Sequence, residues 1–225
     1  IMHYKIFIFI FLKFTFLVSC SSNVNKSYNT EISIAEEKEI LVQKKILINE
    51  MARASIKIHK ITWPILLANR QKCKDNKKKS YGSLFADVND LPEEDKKIFL
   101  TLFNNNIDPK YFYKYQVDGF PIILSVAKDS PSYNAGLLKN DIILEINEKN
   151  TKNFRKKLSF ILENKKYLTF TILRKKKEIK VNMTGIQSCS YNVQVLPSGF
   201  PNAFADGEKV FITMAAIKLA QTKDE

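Results

Sequence analysis

Histidine is nearly absent from this chain of 225 residues: there are two, His3 and His59. None follows residue 59, and His-Glu-x-x-His occurs nowhere, so the two imidazoles one helical turn apart that hold a catalytic zinc are lacking. Gly-x-Ser-x-Gly is lacking too, and no Ser/His/Asp set is available, which argues against a serine hydrolase. Arginine is also scarce. Of 36 basic residues only Arg53, Arg70, Arg155 and Arg174 are Arg; the rest are Lys. Two-pronged recognition of bases and phosphates favours Arg, so the net charge of +13 reads as a solvated lysine surface, and no nucleic-acid partner is expected. The cysteines, Cys20, Cys73 and Cys189, are too few to build a metal cluster.

What is present begins with an export signal. In Met2–Cys20, Lys5 precedes a run rich in Phe and Ile, and residues 1–19 are set aside from the fold as a signal peptide. Leu17-Val18-Ser19-Cys20 resembles the lipobox of bacterial lipoproteins. The resemblance implies a lipidated Cys20, a membrane partner through that anchor, and a periplasm-facing location. Ser21 after the cysteine leans the expectation towards the outer membrane. An uncleaved anchor is the alternative, but Lys13 interrupts a run shorter than the ~20 residues a spanning helix needs.

Residues 20–30 are polar and read as a tether. Residues 31–110 read as a helical segment and loop. Ile34, Leu41, Ile48, Met51 and Ala52 share one helical face opposite Glu36, Glu37, Lys38, Glu39, Lys44 and Lys45. Trp63-Pro64 predicts a break and hence a helical hairpin. Leu91-Pro92-Glu93-Glu94-Asp95 opens a helix through Phe103, with acids at its N-terminus.

Asp129–Asn147 has the most explicit local grammar. Ser130 and Asp129 can cap a turn, Pro131 suits its first position, and Gly136 can close it with φ > 0. Asn140-Asp141 makes a tight turn into the apolar strand Ile142–Ile146. Before it, Pro121–Val126 reads as a strand. After it come an amphipathic helix at Asn153–Leu162, a strand at Tyr167–Leu173, a charged turn, and a strand at Glu178–Met183. This order resembles a PDZ domain over residues 111–183, in the permuted arrangement of bacterial proteases. Asn140 and Glu148 stand where the family carries Gly. The resemblance implies peptide capture by strand addition. It places the carboxylate loop at Val117, Gly119 and Phe120 and the receiving strand around Ile122 and Leu124. A spacer or gate with its groove filled internally is the alternative.

Residues 184–225 read as a hairpin with an Asp206-Gly207 turn leading to a helix. Asn202-Ala203-Phe204-Ala205, the turn, and Ile212-Thr213 resemble the entry to zinc metallopeptidases of the HtpX and CAAX-prenyl-endopeptidase type. There, Asp-Glu like Asp224-Glu225 shortly precedes His-Glu-x-x-His. By that resemblance residues 184–225 begin an incomplete metallopeptidase domain. Asn202, Ala203 and Phe204 are then the cleft-lining candidates. This chain holds no catalytic residue or cofactor, and zinc is expected for the full-length protein. The expected fold is α+β: a helical segment, a PDZ-like partly open β-barrel with helices, then the hairpin. Two functions stay open: the N-terminal part of a membrane-anchored zinc metalloendopeptidase acting on envelope proteins, or a non-catalytic lipoprotein binding peptides or envelope proteins. With Cys20 lipidated, an exported chain permits a Cys73–Cys189 disulfide.

Overall fold

The computed structural model describes residues 26–73, 77–86, 91–103, 119–152, 165–207, 209–220 and 222. The signal peptide, Cys20, Val117, the helix expected at Asn153–Leu162 and Asp224-Glu225 lie outside them. The chain divides into two units, Ile1–Leu41 and Val42–Glu225. A single helix, α1 (Lys26–Ala68), crosses that division. It begins within the segment expected as a tether.

In the first unit Ile34, Ile40 and Leu41 are exposed. In the second, α1 turns apolar towards a core: Ala52, Ala54, Ile58 and Trp63 are buried. The break expected at Trp63-Pro64 does not occur, for Pro64 lies inside the helix. Pro64 and Lys60 are both exposed, so the carbonyl that loses its amide partner lies on the exposed face of the helix. Neighbouring Trp63 is buried. The expected hairpin of helices does not form at this point. No described helix is long and apolar enough to cross a membrane.

The main sheet comprises β2 (Ser83–Ala86), β3 (Ile122–Val126), β4 (Ile142–Ile146), β6 (Tyr167–Arg174) and β7 (Lys177–Thr184) in that order, with β5 (Lys149–Asn150) paired to β4. All of these pairings are antiparallel. It is open at both ends among the described residues, so the fold is α+β without a closed barrel. β3 and β4 are buried almost throughout, as their unbroken apolar runs require. On one face, α1 and α2 (Glu93–Phe103) contribute Ala52, Phe99, Leu100 and Phe103 to a core with Phe120, Ile122, Leu124, Ile142, Leu144 and Leu173. On the other, Ile123, Leu137, Ile143, Ile146, Leu168, Phe170 and Ile172 form a second core. Lys44 of α1 pairs with Glu94 at 2.7 Å and Asp95 at 3.3 Å, bringing its cation to the N-terminus of α2.

Two smaller sheets complete the unit. β1 (Lys77–Ser80) pairs antiparallel with β8 (Ile186–Cys189). β9 (Asn192–Leu196), β10 (Ala203–Ala205) and β11 (Lys209–Thr213) form a sheet in the order β10-β11-β9. β10–β11 is the expected hairpin, with Gly207 at φ 97°, and α4 (Met214–Leu219) follows it. Thr213 caps α4, its hydroxyl accepting the Ala216 amide at 3.3 Å. β9 joins β11 in parallel, a pairing between strands too far apart in sequence for a turn signal.

Candidate functional site

The turn between β3 and β4 is built as its sequence dictates. Ser130 caps α3 (Pro131–Asn134), accepting the Tyr133 amide at 3.1 Å, with Pro131 in the first turn. Asp129 at φ 59°, Gly136 at φ 80° and Asn140 at φ 71° supply its three left-handed positions. Asp141, 1% exposed, then fastens the whole loop: it accepts the Leu138 amide at 2.8 Å and both Arg174 Nε and Nη2, at 2.6 and 2.5 Å. The same guanidinium donates to the Gly136 carbonyl at 2.7 Å. Its bonds with the Asp141 carboxylate raise the Arg174 pKa further, so the guanidinium keeps its charge at any physiological pH.

What the loop supports is a second turn, upstream in the chain. The Gly82 carbonyl accepts the Ala127 amide at 2.7 Å, and the Tyr81 carbonyl accepts that of Ser132 at 2.9 Å. Ser132 donates its hydroxyl to Ser83 Oγ at 3.1 Å. Tyr81, 3% exposed, donates its hydroxyl to the Lys165 carbonyl, and burial pushes its pKa up to about 12. Gly82 sits at φ 73°, and a Cβ there would stand 2.2 Å from Ser130 Cβ and 3.1 Å from the Trp63 ring. Only glycine fits this junction. Tyr81-Gly82 thus aims β2 along the sheet border from a fixed point.

This geometry corrects the placement of the peptide edge. β3 is hydrogen-bonded to β2 on one side and to β4 on the other, so it has no edge to offer. Phe120, Ile122 and Leu124 are core residues, at most 6% exposed, and Gly119 is buried with them. Among the described residues the free edge on this side belongs to β2, with β7 at the far end. Sequence reasoning missed β2 because it is four residues long and its partner comes after α2. Gly82 before Ser83-Leu84-Phe85 was the available signal. The sheet therefore begins well before residue 111.

Beside β2 lies a cavity of about 490 Å³, lined also by residues of α1, β8 and β9. Its walls include Ile58, Trp63, Leu84, Phe85, Val193 and Val195, with Ser55, Thr62, Ser83 and Gln194 between them. His59 borders it and is held neutral: burial, then the neighbouring Lys60 charge, lowers its pKa to about 4. Its buried Nδ1 has no hydrogen-bond partner among the described residues. Cys189, also in the wall, is disulfide-bonded to Cys73 just past the end of α1, with Cα atoms 5.6 Å apart.

The candidates of the hairpin stand elsewhere. Asn202, Ala203 and Phe204 are all exposed along β10, an edge strand, and Phe204 stacks on Phe211 at 4.9 Å. Asn202 is anchored through its backbone, its amide donating to Thr213 Oγ1 at 2.9 Å. No group of three or more His, Cys, Asp or Glu positioned to hold a metal occurs among the described residues.

Against known proteins, residues 105–184 match the family of PDZ domains, and the chain therefore contains a PDZ domain. Among solved structures it is similar to the HtrA3 PDZ domain bound to a phage-derived ligand (FGRWV): 16% identity, 49% of this chain and 88% of that one, TM-score 0.35. It is similar to the HtrA-type protease AlgW with decapeptide at 14% identity, covering 48% of this chain, with TM-score 0.32. It spans only 29% of that protease. A PDZ domain protein from Parabacteroides distasonis shares 23% identity over 32% of this chain and 17% of its own, TM-score 0.28. No curated protein matches the chain.

Proposed function

We propose that this chain recognises extended peptides of envelope proteins by adding them as a strand to the open edge of β2. The observation that carries this is the sheet order: among the described strands β2 combines a free edge, a preceding Tyr81-Gly82 turn and an adjoining cavity. Peptide recognition is what a PDZ domain implies. The test is a phage-displayed library of carboxy-terminal peptides panned against the full chain. Enriched sequences whose binding is weakened tenfold or more by Gly82→Ala support the reading. Failure of any free-carboxylate peptide to bind at micromolar concentration overturns it.

The setting we propose is a lipid-anchored protein, tethered through Cys20 to a periplasm-facing membrane. The Leu17–Cys20 pattern supports it, and the Cys73–Cys189 bond suits an oxidising compartment. Labelled palmitate on wild-type protein, absent from Cys20→Ser, is the expected result. The same reading makes the chain the recognition portion of a zinc metalloendopeptidase. Its support is the β10–β11 hairpin leading directly into α4, in the order the metallopeptidase resemblance implies. A His-Glu-x-x-His encoded within about 30 codons after Glu225 would support it; a stop codon there favours the non-catalytic binder.

A further inference from the structure

Two open strand edges border one cavity. β2 is unpaired on one side, and so is β9, the terminal strand of the sheet β10-β11-β9 among the described residues. Ser83, Leu84 and Phe85 all line the cavity, and so do Asn192 to Val195. Side chains of consecutive strand residues point to opposite faces. A strand that borders a space with every consecutive residue presents its edge to it, where a face would contribute alternate residues.

The two edges also run in the same direction. Gly82, before β2, adjoins Trp63, and Leu84 packs in the cluster that contains Ala52 and Ile56. Cys189, before β9, is bonded to Cys73 beyond the end of α1, while Val193 and Val195 pack with Ala54 and Ile58. Both strands thus travel back along α1 from its C-terminal end. The cavity follows the helix from Ser55 to Leu66, about 16 Å at ~1.5 Å per residue, the length of about five extended residues.

We infer that a bound peptide lies between these edges, pairs with β9 as well as β2, and joins the two sheets into one, so that peptide recognition extends beyond the PDZ region into the C-terminal sheet. This rests on the β2-edge reading above. The chemistry of the walls selects the ligand. Among the described residues that line the cavity, Lys78 carries a charge, His59 is neutral and none is an acid. The peptide is therefore uncharged along its length and ends in a free carboxylate. Aligned antiparallel to both edges, it puts that carboxylate at the Tyr81-Gly82 end, where Lys78 and Ser80 also line the cavity.

The experiment uses the full chain and the pentapeptide acetyl-AVTVV, as free acid and as amide. Trp63, the sole tryptophan, lines the cavity and reports occupancy by its emission. Hydrogen exchange locates the peptide. The expected result is an emission change saturating at least tenfold earlier for the acid than for the amide, with slowed amide exchange both at 83–86 and at 192–196. Protection at 83–86 alone overturns this inference and leaves the β2-edge reading standing. Protection confined to other strands, or no binding, overturns both.

Discussion

Gly82 carries the most constraint of any residue here. A side chain at that point meets Ser130 Cβ at 2.2 Å and demands a left-handed backbone at φ 73°. Gly82→Ala should cost about 2–4 kcal/mol, read as a lowered urea midpoint with an unchanged slope. His59 gives the chain a defined pH response. Its pKa falls from 6.5 to about 4 on folding, mainly by desolvation. Between those values the unfolded chain binds the extra proton, so the stability due to neutral His59 is present above pH 6.5 and drains away as pH falls towards 4. The loss is on the order of 2–3 kcal/mol. Urea titrations at pH 7 and 4.5 should differ by that amount in the wild type, and by clearly less in His59→Leu. These residues differ in legibility. Gly136 and Asn140 announced their left-handed turns, because turn chemistry is local. Gly82 did not, because what forbids a side chain there is Ser130, 48 positions away in the chain.

At the scale of elements, the β3–β4 loop is tied to β6 by the Asp141–Arg174 clamp. The Asp141–Arg174 pair is a two-pronged contact at 2.5–2.6 Å, with the acid buried and the cation 23% exposed at its side chain. Arg174→Ala strips the partner from a buried carboxylate and one donor from the Gly136 carbonyl. A loss of about 2–3 kcal/mol is expected by denaturant titration, discounted for the partial exposure of Arg174. Arg174→Lys should recover less than half, since Lys lacks the planar fork. The strands here were legible from their runs of Ile and Leu and from the charged turn at Lys175-Lys176, both at positive φ. α1 was legible as helix but not in extent. Pro64 ordinarily ends such a pattern, and an exposed position near the last turns made it tolerable. β1, read off Lys77-Lys78-Lys79-Ser80, has no strand signal at all and exists through its pairing with β8.

At the scale of the whole molecule, the Cys73–Cys189 bond closes a loop of 116 residues that encloses the main sheet. Loop-closure entropy puts its contribution at about 4–5 kcal/mol. Cys189→Ser should lower the thermal midpoint by several degrees, and reductant should lower that of the wild type while leaving the variant unchanged. Because Cys189 lies in the cavity wall, the same reduction should weaken peptide binding more than tenfold if the wall must stay fixed against α1.

The sequence by itself determined the β3–α3–β4 unit, the β6–β7 hairpin and the β10–β11 hairpin, along with the presence of a PDZ domain. Each is a local device whose turn residues and apolar periods act within some twenty positions. Only the tertiary structure decided which edge is open. Strand β2 takes its place beside β3 across an intervening helix, and β9 comes to the same cavity from the far end of the chain. Nothing in a strand's own residues records whether its second side is paired. Phe120, Ile122 and Leu124, expected at the site, lie in the core, and the open edge on that side of the sheet among the described residues is Ser83–Ala86. That edge exists because long-range pairing was satisfied everywhere else in the sheet except at its two ends.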